Sequence, residues 1–139
     1  MSDRPAFRHA LAVRYADTDA QGVVFFANYL TYADEGLTYW LEHLGVPHAS
    51  VTALGLDFVF VDASVQYLDS ARFGDTVHVH VGAARVGNSS LTTRFVIVRA
   101  SDDAVLATGT LVQVCLELSE RRPHPLPDTL REAIARAPG

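Results

Sequence analysis

Only one cysteine, Cys115, stands among the 139 residues, so no intramolecular disulfide can form. A reducing compartment is the setting that fits. No apolar run approaches the roughly 20 residues a membrane-spanning helix needs. Positive charge is scarce as well: 11 basic residues face 16 acidic ones, for a net charge of -5. That leaves no electrostatic footprint for nucleic acid or for an acidic membrane face. The start, Met1-Ser-Asp-Arg-Pro-Ala-Phe-Arg, lacks the basic-then-apolar pattern of a secretory leader. Glycine-rich phosphate loops and dinucleotide fingerprints are missing too. These absences lead to the expectation of a cytoplasmic protein with neither a nucleic-acid nor a membrane partner. What remains is 49% apolar and 19% charged. That is globular material with enough length to bury a core unaided, and it suits one domain over 1–139.

Three blocks organise the chain. Phe7 to Tyr15 alternates apolar and polar residues and predicts a strand. Ala27 to Gly45 sets Leu30, Ala33, Leu37, Trp40, Leu41 and Leu44 on one helix face. Asn28 is its expected N-cap, and Gly45 before Pro47 its stop. Gly36 inside this helix costs about 1 kcal/mol relative to alanine, so a close neighbour needs the space. The third block, Leu56 to Leu118, is strand-rich. It holds the long run Asp57–Asp69, then Val77, Val79, Val81 and Ala83 alternating with His78, His80 and Gly82. After Gly87-Asn88 come Leu91, Thr93, Phe95 and Ile97, and after the turn residues Ser101 to Ala104 come Val105 to Leu118. The last three runs predict a meander, with Gly109 marking a bulge or a close backbone approach. Asp128 is expected to cap a short helix, Thr129–Arg136. The class is α+β, a sheet wrapped on a central helix. One helix cannot cover such a sheet, which predicts a homo-oligomer.

Chemistry concentrates between the first strand and the helix, in Arg14-Tyr-Ala-Asp17-Thr-Asp19-Ala-Gln-Gly22-Val-Val-Phe-Phe26-Ala-Asn28-Tyr29. The first N–H groups of a helix lack intrahelical acceptors and can polarise a carbonyl oxygen. A carboxylate nearby can attack the carbonyl carbon or activate water. Apolar neighbours exclude solvent, and Gly22 lets the backbone approach a substrate closely. Aspartate and glycine also precede ordinary helices as caps and turns. By pattern alone that plainer reading is the stronger.

The segment resembles the signature of the 4-hydroxybenzoyl-CoA thioesterase family of hot-dog-fold acyl-CoA thioesterases. The stretch is aromatic-small-Asp-x-Asp-x-x-Gly-Val-Val-aromatic, here Tyr15 to Phe26, followed by Asn28-Tyr29. Further likeness runs through Val65-Gln-Tyr67-Leu68, Ala71-Arg72-Phe73-Gly74-Asp75, Gly87 to Leu91, Leu106 to Gly109 and Pro125-Leu-Pro127. The resemblance implies a hot-dog fold, a long central helix wrapped by an antiparallel sheet of five or six strands. It implies an acyl-CoA thioesterase that yields free acid and CoA, with aromatic, short-chain and long-chain acyl groups all open. Asp19 then corresponds to the catalytic carboxylate, as nucleophile or general base. Phe26 would offer its backbone N–H to the thioester carbonyl, beside Gly22, and Asp17 would steady the turn. Asp34 matches an acidic position of the acyl pocket, with Val23, Phe25, Tyr29, Phe58 and Val61 as further lining. Asn88, Ser89 and Ser90 occupy the turn that supplies basic residues to the CoA phosphates in the namesake. Here only Arg85 is near, so Arg72 or Arg121-Arg122 are substitutes, or the carrier is an acyl carrier protein. No metal is needed, and no cofactor beyond the CoA of the substrate. A dimer or tetramer with a shared pocket is implied.

Two rivals stand beside this reading. A hot-dog dehydratase or hydratase would use a histidine near the central helix, where His43 and His48 lie at or beyond its end. A non-catalytic acyl-CoA binder is favoured by the weakly basic turn and opposed by Asp19. His78 and His80 share a strand face and are expected to face solvent rather than zinc. Cys115 reads as a small core residue, Asp102-Asp103 as a turn, and Arg121-Arg122 with the last helix as a solvated tail.

Overall fold

A computed structural model describes residues 3–139. The elements run β1 (Phe7–Ala12), a 3-10 turn (Tyr15–Asp17), α1 (Asn28–His43), α2 (His48–Thr52), β2 (Leu56–Tyr67), β3 (Thr76–Val86), β4 (Ser90–Arg99), β5 (Val105–Glu117), β6 (Arg122–Pro123) and α3 (Asp128–Arg136). One antiparallel sheet takes the order β1-β3-β4-β5-β2, with the two-residue β6 beside β5. β3, β4 and β5 are the expected meander. α1 packs on β3, β1 and β4, the helix-in-sheet arrangement of the hot-dog fold.

The core follows from two periodicities meeting. Val77, Val79 and Val81 of β3 and Phe95 and Ile97 of β4 point one way at spacing two. They meet Ala33, Gly36, Leu37 and Trp40 of α1 at spacing three and four. Each large side chain buried this way contributes about 1.5–3 kcal/mol. Gly36 allows the contact: a Cβ there would lie 2.5 Å from Val79 Cγ1 and 3.0 Å from Val81 Cγ2. Gly36→Ala is therefore expected to destabilise by about 1–2 kcal/mol, because overpacking costs more than the better helix propensity returns. Urea denaturation checks this, and a more stable variant would show that the helix can lift from β3.

Some boundaries differ from expectation. β1 stops at Ala12, since Val13 N–H turns to the Asp75 carbonyl and the chain enters the 3-10 turn. Asn28 is the first helical residue, not the cap. Ala27 is the cap residue, and no side chain caps the helix. Gly45 does stop α1, at φ +81°. α2 was not anticipated. Asp128 likewise lies inside α3, after Pro127. α3 is docked rather than solvated, with Leu130 and Ala133 buried, while Arg121 and Arg122 are exposed. His80 is only 8% exposed, with Nδ1 2.9 Å from the Pro5 carbonyl. The N-terminal segment crosses the outer sheet face there, so the expected solvent-facing pair holds only in part. Burial, chiefly, holds the His80 ring below its usual pKa. Cys115 is fully buried, as expected. Asp102 and Asp103 form the expected turn, where they also pair with Arg99 and Arg4.

Candidate active site

The carboxylate segment folds as a small hairpin sealed onto the start of α1. Thr18 bridges Val24, Asp19 N–H donates to the Val23 carbonyl at 2.9 Å, and Gly22 N–H donates to the Asp19 carbonyl at 2.9 Å. Gly22 sits at φ +79°, a conformation that suits glycine. Asp19 Oδ1 accepts from Gln21 N–H at 2.8 Å. Its other carboxylate oxygen accepts no hydrogen bond from the described residues. Arg72 lies alongside, with Nη1 3.8 Å from the position of a Cβ on Gly22.

Asp17 steadies this hairpin. It is buried and accepts from Arg14 N–H at 3.0 Å, from the Arg14 guanidinium at 2.9 Å and from the Tyr32 hydroxyl at 2.9 Å. Its carbonyl takes Phe25 N–H and the Asn28 amide. Burial by itself would raise the Asp17 carboxyl, but the hydrogen bonds outweigh it and hold the group below the ordinary carboxylate range. The Tyr32 hydroxyl is pushed up, by burial first and then by its bond to Asp17. A depressed native pKa stabilises the fold above the unfolded value near 3.9, and that contribution fades as pH falls through the native value. Asp17→Asn is thus expected to cost about 2 kcal/mol at pH 7. In thermal unfolding the gap from wild type should narrow once pH drops below about 4. A gap that stays constant in acid would rule out the charge as its source.

Among the described residues, the N–H groups of Phe26 and Ala27 have no acceptor. They are the orphan donors of a helix start. Gly22 N–H is occupied by the Asp19 carbonyl, so Gly22 is a turn former and not a donor to substrate. The Tyr67 hydroxyl, from the end of β2, donates to the Phe26 carbonyl at 2.9 Å. Sequence reading missed both Ala27 and Tyr67. A main-chain donor leaves no residue signal, and Tyr67 is 41 positions from Phe26.

The expected pocket residues divide. Phe25 and Phe26 are exposed and tilt against each other, with centroids 4.8 Å apart, and Val23 is half-buried. Tyr29 is 2% exposed, its hydroxyl accepting from Ala71 N–H, so it belongs to the core. A cavity of about 310 Å³ follows α1 past Leu30, Thr31 and Asp34, against Phe60, Ala63 and Leu111. A second, of about 530 Å³, adjoins it at Asp34 and Phe60 and reaches Phe58, Leu41, His48 and Gln113. Val61 lines neither cavity. It lies where the β2 register shifts, between Phe60 and Asp62, and is exposed. Phe60 takes its place, readable as two positions from Phe58 on one strand face. Burial pushes the Asp34 carboxyl up. His43 packs tilted against Phe7, with ring centroids 5.1 Å apart, and His48 Nε2 meets Asp57 at 3.1 Å. Neither stands at the start of α1.

The 87–90 turn is held from within. Arg131 of α3 donates to the Gly87 carbonyl at 2.7 Å and the Asn88 carbonyl at 2.6 Å. Ser89 O accepts from Cys115 N–H, and Ser90 O accepts from Gly87 N–H. Arg131, unmarked in the sequence reading, brings positive charge to this turn.

Comparison with known proteins identifies the family that carries this fold. A 1,4-dihydroxy-2-naphthoyl-CoA hydrolase of Thermosynechococcus vestitus is 30% identical, covering 99% of this chain and 94% of its own. The acyl-CoA thioester hydrolase YbgC of Escherichia coli is 28% identical, over 89% of this chain and 92% of its own. Slr0204, a 1,4-dihydroxy-2-naphthoyl-CoA thioesterase from Synechocystis, superposes with a TM-score of 0.87 at 27% identity, covering 94% and 96% of the two chains. The family model for the thioesterase-like superfamily matches residues 13–134, and the chain belongs to that superfamily.

Proposed function

We propose that this thioester hydrolase acts on acyl-CoA, with Asp19 as nucleophile or general base and the N–H groups of Phe26 and Ala27 as oxyanion donors. The observation that carries the reading is those two unpaired N–H groups at the start of α1, next to a hairpin that carries a carboxylate with one unengaged oxygen. Preorganised donors of this kind are worth most where charge develops in the transition state. In the net reaction a water oxygen bonds to the acyl carbon, the carbon–sulfur bond breaks, and the thiolate takes up the proton. A thioester is reactive enough for this without metal or cofactor.

Phosphates of the CoA would lie at Asn88, Ser89 and Ser90, with Arg131 behind the turn, while Arg72 would meet the thioester end. CoA is the carrier in this reading, and an acyl carrier protein is the rival carrier. A second copy of the chain would pair along the free edge of β2, where Phe60, Val61, Tyr67 and Leu68 are exposed. It would close the groove between β2 and α1. No helix among the described residues is long and apolar enough to cross a membrane, and the cytoplasm is the compartment we assign.

Thiol release from benzoyl-, hydroxybenzoyl-, short-chain and long-chain acyl-CoA tests the reading. Turnover of one class supports it, and inactivity on all of them rejects it. A single turnover in heavy-oxygen water then separates the two routes, since label in the Asp19 carboxylate marks the covalent one.

A further inference from the structure

Gln113 is out of place for an ordinary core. On β5 the inward positions are Leu111, Gln113 and Cys115, all buried. Gln113 is 7% exposed, and no group among the described residues donates to its buried Oε1. Buried acceptors of this kind are nearly always satisfied, and leaving one dry is costly. The same side chain lines the larger cavity.

Position along α1 says which part of a ligand would meet it. Asp34 lies seven residues beyond Ala27 and Leu41 fourteen, or about 10 Å and about 21 Å at 1.5 Å per residue. A single-ring acyl group with its carbonyl at Phe26 and Ala27 ends near Asp34, in the smaller cavity. The larger cavity begins there and continues to Leu41. Its walls are mainly leucine, valine and phenylalanine. The carboxylates of Asp34 and Asp57 also border it, and its one basic group, His48, is held by Asp57. An anionic tail is disfavoured there, and a neutral donor suits it.

We propose that the acyl group of the natural substrate runs past Asp34 into the second cavity and carries a hydroxyl toward its far end, which Gln113 receives. This rests on the acyl-CoA hydrolase reading above. An extended chain advances about 1.25 Å per carbon–carbon bond, so roughly a dozen carbons reach about 14 Å from the carbonyl, past Asp34 and into the second cavity.

The test measures thiol release by the full chain from butyryl-, benzoyl-, lauroyl- and 12-hydroxylauroyl-CoA. For wild type, kcat/KM is expected to be at least tenfold higher for the two long substrates. The hydroxylated one should lead the plain one by about three- to tenfold, the worth of a neutral hydrogen bond. Leu41→Trp, which fills the cavity, should cut the long-to-short ratio at least tenfold. Gln113→Leu should abolish the preference for the hydroxylated chain. It should also melt no lower than wild type, because it removes an unpaired acceptor. Best turnover of butyryl or benzoyl-CoA, with the ratio unmoved by Leu41→Trp, overturns the proposal alone. A hydroxyl preference that survives Gln113→Leu does the same. Absence of thiol release from all four substrates overturns the hydrolase reading along with it.

Discussion

Asp19→Asn is expected to lower kcat on acyl-CoA by about 10²- to 10⁴-fold, the usual contribution of a positioned acid–base group. KM and melting temperature should change little. Asparagine keeps the Oδ1 acceptor for Gln21 N–H, so the turn from Asp19 to Gly22 retains its bond. The lost features are the charge and the second oxygen, which bonds to nothing in the hairpin. The Phe26 and Ala27 donors stay in place, so ground-state binding of the carbonyl persists while attack on it fails. Steady-state kinetics beside a melting curve checks this. Full activity in the asparagine variant would remove Asp19 from the mechanism, and a collapsed melting temperature would make its role structural. Asp17→Asn should behave in the opposite way, losing stability first, because every bond of that carboxylate is to the fold.

How much of this was legible in the sequence depended on whether a signal was periodic or long-range. The α1 face from Leu30 to Leu44 repeats at helical spacing, and both its existence and its glycine stop could be read. The β3–β4–β5 meander alternates and is punctuated by turn residues, so its order was equally open. The hairpin from Asp17 to Phe26 could be located but not resolved. Which N–H groups remain free depends on pairings such as Gly22 to Asp19 and Phe25 to Asp17, which no residue type encodes. Tyr29 was misplaced because an aromatic beside a site motif also continues the buried face of α1 through Ala33, Gly36 and Leu37. His80 was misplaced because alternation cannot show that Pro5 folds back across the outer face of the sheet. Arg131 and Gln113 lay beyond reach for the same reason: their meaning comes from a turn 43 positions away in one case and from a cavity wall in the other.

The largest stability effect is expected at Gly109. It pairs with Val65 of β2 on one side and with Phe95 of β4 on the other, so it stands where three strands meet. A Cβ there would overlap the Ser64 carbonyl oxygen outright and approach Phe95 Cζ to 2.6 Å. At Gly36 the obstacles are valine methyls, which can shift a little. At Gly109 the first obstacle is strand backbone, and moving it strains the ladder between β2 and β5. Gly109→Ala is therefore expected to cost about 3 kcal/mol or more, at the upper end for overpacking. The melting temperature should fall by an amount on the order of 10 °C. The strain should also reach the candidate site, because Tyr67, two residues beyond Val65 on the displaced strand, holds the Phe26 carbonyl. Under conditions where the variant is still folded, kcat should drop while the Asp19 hairpin, built on other contacts, stays intact. A variant that melts like wild type would mean that β2 and β5 separate at little cost, and the tie from Tyr67 to Phe26 would then lose its claim to position the oxyanion donors.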